Sequence, residues 1–144
     1  MSTTSITFDL VSTDYTAQLA FEVLLNETVV FATEHVAQSV TVEFDIADDE
    51  GEHELKFVLK NKTQDHTTVD ENGNIISDAM LSIANMSVDE IKLGHMFFEQ
   101  THYYHDTNGF QLFVKDRFFG DMGCNGYVSL KFSTPIYLWL LENM

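Results

Sequence analysis

The sequence is poor in residues that cross-link or rigidify a chain. It has one cysteine, Cys124, and one proline, Pro135. A lone cysteine excludes an intramolecular disulfide and any C-x-x-C motif, and Cys124 reads as a small buried hydrophobe. Basic residues are scarce as well. Seven Lys and Arg stand against twenty-three Asp and Glu, a net charge of −16. None precedes Lys56, whereas residues 1–55 hold twelve Asp and Glu. Contacts to phosphates need basic patches, so this balance argues against nucleic-acid and anionic-membrane partners. Solubility in salt, cation binding and a basic partner surface are the readings left open. No apolar run is long enough to cross a bilayer as a helix. The start, MSTTSITF, is too polar for a signal peptide and predicts cytoplasmic synthesis. The sequence also lacks G-x-S-x-G, a P-loop and a dinucleotide fingerprint. Nothing singles out two of its many carboxylates as an acid–base pair, so the expectation is a protein that is not an enzyme.

What is present is alternation. Ile6, Phe8 and Leu10 fall on one face against Thr7 and Asp9, the period of a half-buried strand. Leu19, Phe21, Val23 and Leu25 repeat the pattern, and Asn26-Glu27 reads as a tight turn into residues 28–32. Val40, Val42, Phe44 and Ile46 alternate with Thr41, Glu43 and Asp45. Beyond an acidic turn, Leu55, Phe57 and Leu59 return against Lys56 and Lys60. A hairpin there would set those lysines opposite Glu43 and Asp45. Residues 110–115 and 127–132 read as short strands. IYLWLL at 136–141 shows no alternation and reads as a strand buried on both faces. With about nine or ten short strands and polar turns, residues 1–144 predict one all-β domain. Its expected form is an antiparallel β-sandwich, jelly-roll-like, with an up-and-down barrel as the alternative.

The stretch 68–94 organises the rest. Asp70, Asn72, Asn74 and Asp78 surround Gly73. Asn72-Gly73 is a strong turn signal, because both residues tolerate positive φ. The D-x-N-x-N spacing also gathers the carboxylate and amide oxygens that calcium prefers, without the glutamate of a full calcium loop. Calcium ligands and an ordinary turn both fit these four residues. In the strand that follows, apolar parity slips near Asn85 and again near Asp89. Such slips mark a bulge or bend.

Residues 96–110, MFFEQTHYYHDTNGF, read as an aromatic loop at the sandwich edge. Tyr103 and Tyr104 can stack on sugar faces or anchor a protein contact, and His102 and His105 complete the ligand candidates. With Glu99 and Asp106, the two histidines also offer imidazole and carboxylate donors to a transition metal. The adjacent pairs Phe97-Phe98 and Phe118-Phe119 cannot both point inward from regular strands, which points to an oligomer or partner surface.

Two resemblances follow from these residues. LAFEVLLNETVV, SVTVEFDI, HELKFVLKNK and LSIANMSVDEIKLG resemble the calcium-dependent carbohydrate-binding modules of the xylan-binding type. That resemblance implies a jelly-roll sandwich, glycan binding without catalysis, and calcium as cofactor. DENGNIISD and the tail GCNGYVSLKFSTPIYLWLLEN look like small uncharacterised proteins of tailed phages of marine bacteria. That likeness implies a virion-associated structural protein, oligomerising through exposed aromatics, with a protein partner and with or without a host glycan.

Overall fold

The first strand shows how pattern becomes architecture. In β1 (Thr3–Ser12) every second side chain, from Thr4 to Ser12, is buried and the others are half-exposed. One face therefore meets a core, and the strand edges are free to pair. β1 runs antiparallel to β4 (Val40–Ala47) on one side and to β8 (Leu81–Val88) on the other. β12 (Asp121–Met122) and β9 (Ile91–Lys92) both pair with β8, completing a five-stranded sheet in the order β12-β8-β1-β4 with β9 beside β8. A second sheet has six strands: β11 (Val114–Arg117), β10 (Thr101–His105), β13 (Gly126–Thr134), β5 (Gly51–Lys60), β2 (Ala20–Leu25) and β3 (Thr28–Thr33), in that spatial order. A separate hairpin joins β6 (Thr67–Val69) to β7 (Ile75–Asp78). Every pairing is antiparallel, as the alternating pattern predicts for a jelly-roll-like sandwich. The computed structural model describes residues 3–13, 15, 17–47, 50–61, 67–69, 71, 72, 75–105, 114–123 and 125–143, with the side chains of 67–69, 75–78 and 114 left aside. Cys124 lies outside these residues. Among them, no helix is long and apolar enough to cross a membrane.

The core is built from inward phenylalanines of both sheets. Phe8 of β1 meets Phe21 of β2 and Phe57 of β5 edge-on, with ring centroids 6.1 and 5.4 Å apart. Phe57 in turn meets Phe97, and Phe97 meets Phe118. T-shaped contacts match a positive ring edge to a negative face and add to the hydrophobic term.

The expected turn at Asn26-Glu27 holds, and the parity slip near Asp89, expected to mark a bulge or bend, is a second turn between β8 and β9. Asn26 and Glu27, and likewise Asp89 and Glu90, have φ of 48° and 71°. These are the paired positive values of a two-residue hairpin turn whose twist matches the strands. The parity slip near Asn85 is a bulge. Thr7 pairs with Ser87, but Asp9 pairs with Ala84, so β8 spends one extra residue there, and Asn85 takes φ 56°.

Other expectations are corrected. β4 and β5 do not form a hairpin. They pair with β1 in one sheet and with β2 and β13 in the other. Lys56 and Lys60 therefore pair with Glu27 and Glu22, not with Glu43 and Asp45. IYLWLL is not a strand. It forms α2 (Ile136–Asn143), which buries Ile136, Trp139 and Leu140. Those are positions i, i+3 and i+4 on one helical face. Pro135 has no N–H for a ladder, and its carbonyl accepts from Leu138 N at 3.2 Å as the helix begins. The aromatic segment is also not one loop. It begins with α1 (His95–Glu99) and continues as β10. On a helix, neighbouring side chains sit about 100° apart, so Phe97 is buried and Phe98 packs beside it against the core.

Candidate functional site

β10 separates the four ligand candidates by parity. Tyr103 points inward and is buried, while His102 and Tyr104 lie on the outer face. Tyr103 sits 4.3 Å from the His105 ring and 6.2 Å from Phe118. His105 Nε2 reaches Asp116 Oδ2 of β11 at 2.7 Å. An odd spacing along a strand puts His102 and His105 on opposite faces, so they do not converge on a metal. On the outer face, Tyr104 stands opposite Lys115 on one side and Tyr127 on the other. The two tyrosine rings stack at 5.1 Å and 26°. Lys115 Nζ lies 5.8 Å from the Tyr104 ring centre, and Lys56 Nζ 5.0 Å from that of Tyr127. The stack is therefore capped by a cation at each end. Its ring faces are covered, and edges and hydroxyls are what it offers a ligand. Glu27 holds the Lys56 ammonium above its usual pKa, chiefly through the hydrogen bond between them and against the opposing effect of desolvation.

The calcium candidates fall on the β6–β7 hairpin. Asp70 and Asn74 lie outside the described residues. Asn72 is exposed in the connecting turn, and Asp78 ends β7 opposite Thr67. No group of three or more His, Cys, Asp or Glu gathers among the described residues.

A ligand-sized space with a largely apolar lining lies elsewhere, along the edge of β8. β12 covers that edge at Leu81 and Ser82, and β9 covers it at Ser87 and Val88. Between them, no strand among the described residues covers that edge at the Ala84–Asn85 bulge, which pairs with β1 on its other side. A cavity of about 440 Å³ opens there, walled by α1 on one side and the 119–121 segment on the other. Phe118 and Phe119 point opposite ways as the chain leaves β11. Phe118 is fully buried, whereas Phe119 is 72 % exposed at the cavity mouth. The Arg117 guanidinium lies 5.3 Å from the Phe119 ring centre. Gly120 at φ 110° lets the backbone pass the Phe98 ring, and its carbonyl accepts from Ile83 N at 2.9 Å. Asn85, Lys92, His95 and Asp121 bring polar groups to an otherwise apolar lining. Asp121 is the one carboxylate among the described lining residues, and it accepts from Ser82 Oγ. An apolar cup with a few placed polar groups suits a small amphiphilic ligand. A second space of about 510 Å³ lies by β5, β13 and α2. There His53 is already committed, spanning Asn26 and Thr134 and stacking on Phe132.

Asp9 steadies the cavity from behind. Its Oδ2 accepts from Asn85 Nδ2 and its Oδ1 from Thr41 Oγ1, both at 2.8 Å. These bonds, Asn85's first, hold the Asp9 carboxyl below its ordinary pKa. A carboxylate whose pKa falls on folding stabilises the fold above its unfolded pKa, and that contribution disappears as pH drops through the depressed value. Asp9→Asn should thus cost about 1 kcal/mol at pH 7, the worth of charged hydrogen bonds discounted for solvent exposure. The difference from wild type should shrink in strong acid. Denaturant titrations at pH 7 and pH 2 check this, and an equal cost at both would remove the carboxylate from the account.

The sequence reading missed this cavity. His95 and Asp121 are unremarkable in a row of letters, and the parity slip at Asn85 marks a bulge without marking a cavity beside it. The one usable signal was the Phe118-Phe119 pair followed by glycine, which marks a ring that strand parity must expose.

No family model and no curated protein sequence matches the chain. Two solved structures share its fold. One is a selenomethionine form of vCBM60, from work linking two families of calcium-dependent carbohydrate-binding modules by circular permutation. It aligns with a TM-score of 0.56 at 13 % identity, over 88 % of this chain and 89 % of that one. The other is vCBM60 in complex with galactobiose, with a TM-score of 0.51 at 16 % identity, over 88 % and 96 % of the two chains. At these identities the likeness is one of fold: this chain has the β-sandwich of such modules.

Proposed function

We propose that this protein is a non-catalytic glycan-binding module whose sugar sits in the β8-edge cavity. The observation that carries the reading is Phe119, 72 % exposed beside a cavity of about 440 Å³ with a sparse polar rim. Sugars present an apolar C–H face and equatorial hydroxyls, which match a ring and a few hydrogen-bonding groups. The shared fold with a module seen holding galactobiose supports the same class of ligand. This moves the proposed site away from His102, Tyr103, Tyr104 and His105; the rings of the last three are engaged with their neighbours. The test is a glycan array followed by calorimetry on Phe119→Ala. Loss of the ring should weaken binding by about 2 kcal/mol, roughly thirtyfold, without unfolding the protein. A wild-type protein that binds no glycan on the array would overturn the reading.

Calcium enters this proposal through the hairpin ligands Asp70, Asn72, Asn74 and Asp78. The fold-mates' calcium dependence and the D-x-N-x-N spacing support it. Thermal unfolding in calcium and in EDTA, at constant ionic strength, is the check. Calcium at a hundredfold its Kd adds about 2.7 kcal/mol, and Asp70→Ala or Asp78→Ala should erase the shift. An unshifted wild type would leave the glycan site to work without the metal.

A second reading is a virion or other assembly component that packs against copies of itself. One feature favours it: α2 turns Leu138 and Leu141, 59 % and 73 % exposed, toward solvent. Light scattering decides, because a concentration-independent monomer rules the reading out.

A further inference from the structure

We infer that the glycan bound at this cavity is acidic, carrying a carboxylate or sulfate group that meets Arg117 and Lys115. The inference rests on the glycan reading above and names its chemical class. It starts from where a strongly acidic chain has put its few cations. Of seven basic residues, six are described. Strand parity and register turn Lys56, Lys60, Lys115, Arg117 and Lys131 to the outer face of the six-stranded sheet. The sixth, Lys92, lines the cavity itself.

Their pairing differs by position. Lys56 and Lys60 are matched by Glu27 and Glu22. Lys92, Lys115, Arg117 and Lys131 make no ion pair among the described residues. In a chain of net −16, cations left without carboxylate partners are unusual. Two of them, Lys92 and Arg117, flank the cavity. Arg117 joins the two regions: its guanidinium lies over the Phe119 ring at 5.3 Å, and it stands opposite His102 in the strand row beside Lys115 and Tyr104. A guanidinium placed over a ring at this distance carries its planar N–H fork, which can take a carboxylate or sulfate in two bonds. A sugar whose C–H face meets Phe119 would present an acidic substituent to that fork, with Lys115 one strand row further on.

The occupant fits a short acidic sugar better than a nucleic acid. The tyrosine faces beside the cations are covered by one another and by lysine, so this surface lacks a free platform for successive bases. The net charge repels any long polyanion. At physiological salt, however, fields fade within about 8 Å, so a short ligand meets mainly the local cations.

The experiment is calorimetry at about 0.15 M salt with uronate oligosaccharides and their methyl esters, and with sulfated oligosaccharides and their desulfated forms. Esterification or desulfation should weaken binding at least about tenfold, and the two series tell carboxylate from sulfate. Arg117→Gln with Lys115→Gln should weaken the acidic ligand similarly and leave the neutral form unchanged. Arg117→Lys, which keeps charge but not the fork, should fall between. Equal binding of acidic and neutral forms would overturn this inference while leaving the glycan reading intact. Binding of none would sink both. Equal affinity for a single-stranded oligonucleotide would make the face a general anion surface and overturn the sugar assignment.

Discussion

Phe57→Ala is expected to cost about 4 kcal/mol of folding stability, within the range for deleting a buried phenylalanine. Phe57 is fully buried on β5, between β13 and β2 in the six-stranded sheet. It crosses the sandwich to Phe8 at 5.4 Å and 85°, and reaches Phe97 of α1 at 5.9 Å and 88°. One ring thus ties both sheets and the helix that walls the cavity. Truncation loses its transfer free energy, leaves a hole that three elements cannot close together, and removes two edge-to-face contacts. A urea titration should show the midpoint fall with the slope unchanged. A loss below about 1.5 kcal/mol would mean that the core collapses around the gap, and that the three elements are less rigidly joined than their geometry implies. Phe119→Ala is the complement. Its ring covers no core, so stability should stay within about 0.5 kcal/mol of wild type while binding suffers.

These two rings also mark what was legible in the sequence. Period-2 alternation gave β1, β2, β4 and β5, because each buries one face and each face is written in consecutive letters. Asn26-Glu27 and the parity slips at Asn85 and Asp89 were legible for a similar local reason: turns and bulges depend on a few adjacent residues. Pairing was not legible. β4 and β5 are neighbours in sequence and lie in opposite sheets, an arrangement that the alternation within each strand does not encode. IYLWLL misled because six apolar residues in a row carry no period. The helical stripe of Ile136, Trp139 and Leu140 emerges only once the outer face is known to stay exposed. The cavity was the least legible feature. It forms where residues 83–86, 92–98 and 119–121 meet, and no single stretch carries its pattern.

Gly126→Ala is expected to cost about 3 kcal/mol, by steric overlap rather than lost burial. A Cβ at Gly126 would lie 2.1 Å from Tyr104 O and 2.6 Å from His105 Cα. Both are backbone atoms of the adjacent strand, so no side chain can swing away to make room. The glycine lets β13 begin its ladder against β10, where Gly126 pairs with His105 and Tyr127 with Tyr104. Relief would require β10 to shift away, taking Tyr104, Lys115 and Arg117 out of line with Tyr127. The substitution should therefore also blunt any preference for acidic over neutral sugars, at temperatures where the variant is still folded. Gly51→Ala is the control: Gly51 lies on β5, which pairs with the far end of β13 at Thr134. Its nearest neighbour would be the His53 ring at 3.8 Å, an ordinary contact. Alanine there should be neutral or slightly stabilising, by narrowing the unfolded chain's freedom. Amide exchange at Tyr104 and Tyr127 separates the two cases. Fast exchange confined to the Gly126 variant is the expected result. Unchanged protection in both would show that the β10–β13 register tolerates a methyl group where the backbone geometry leaves no space.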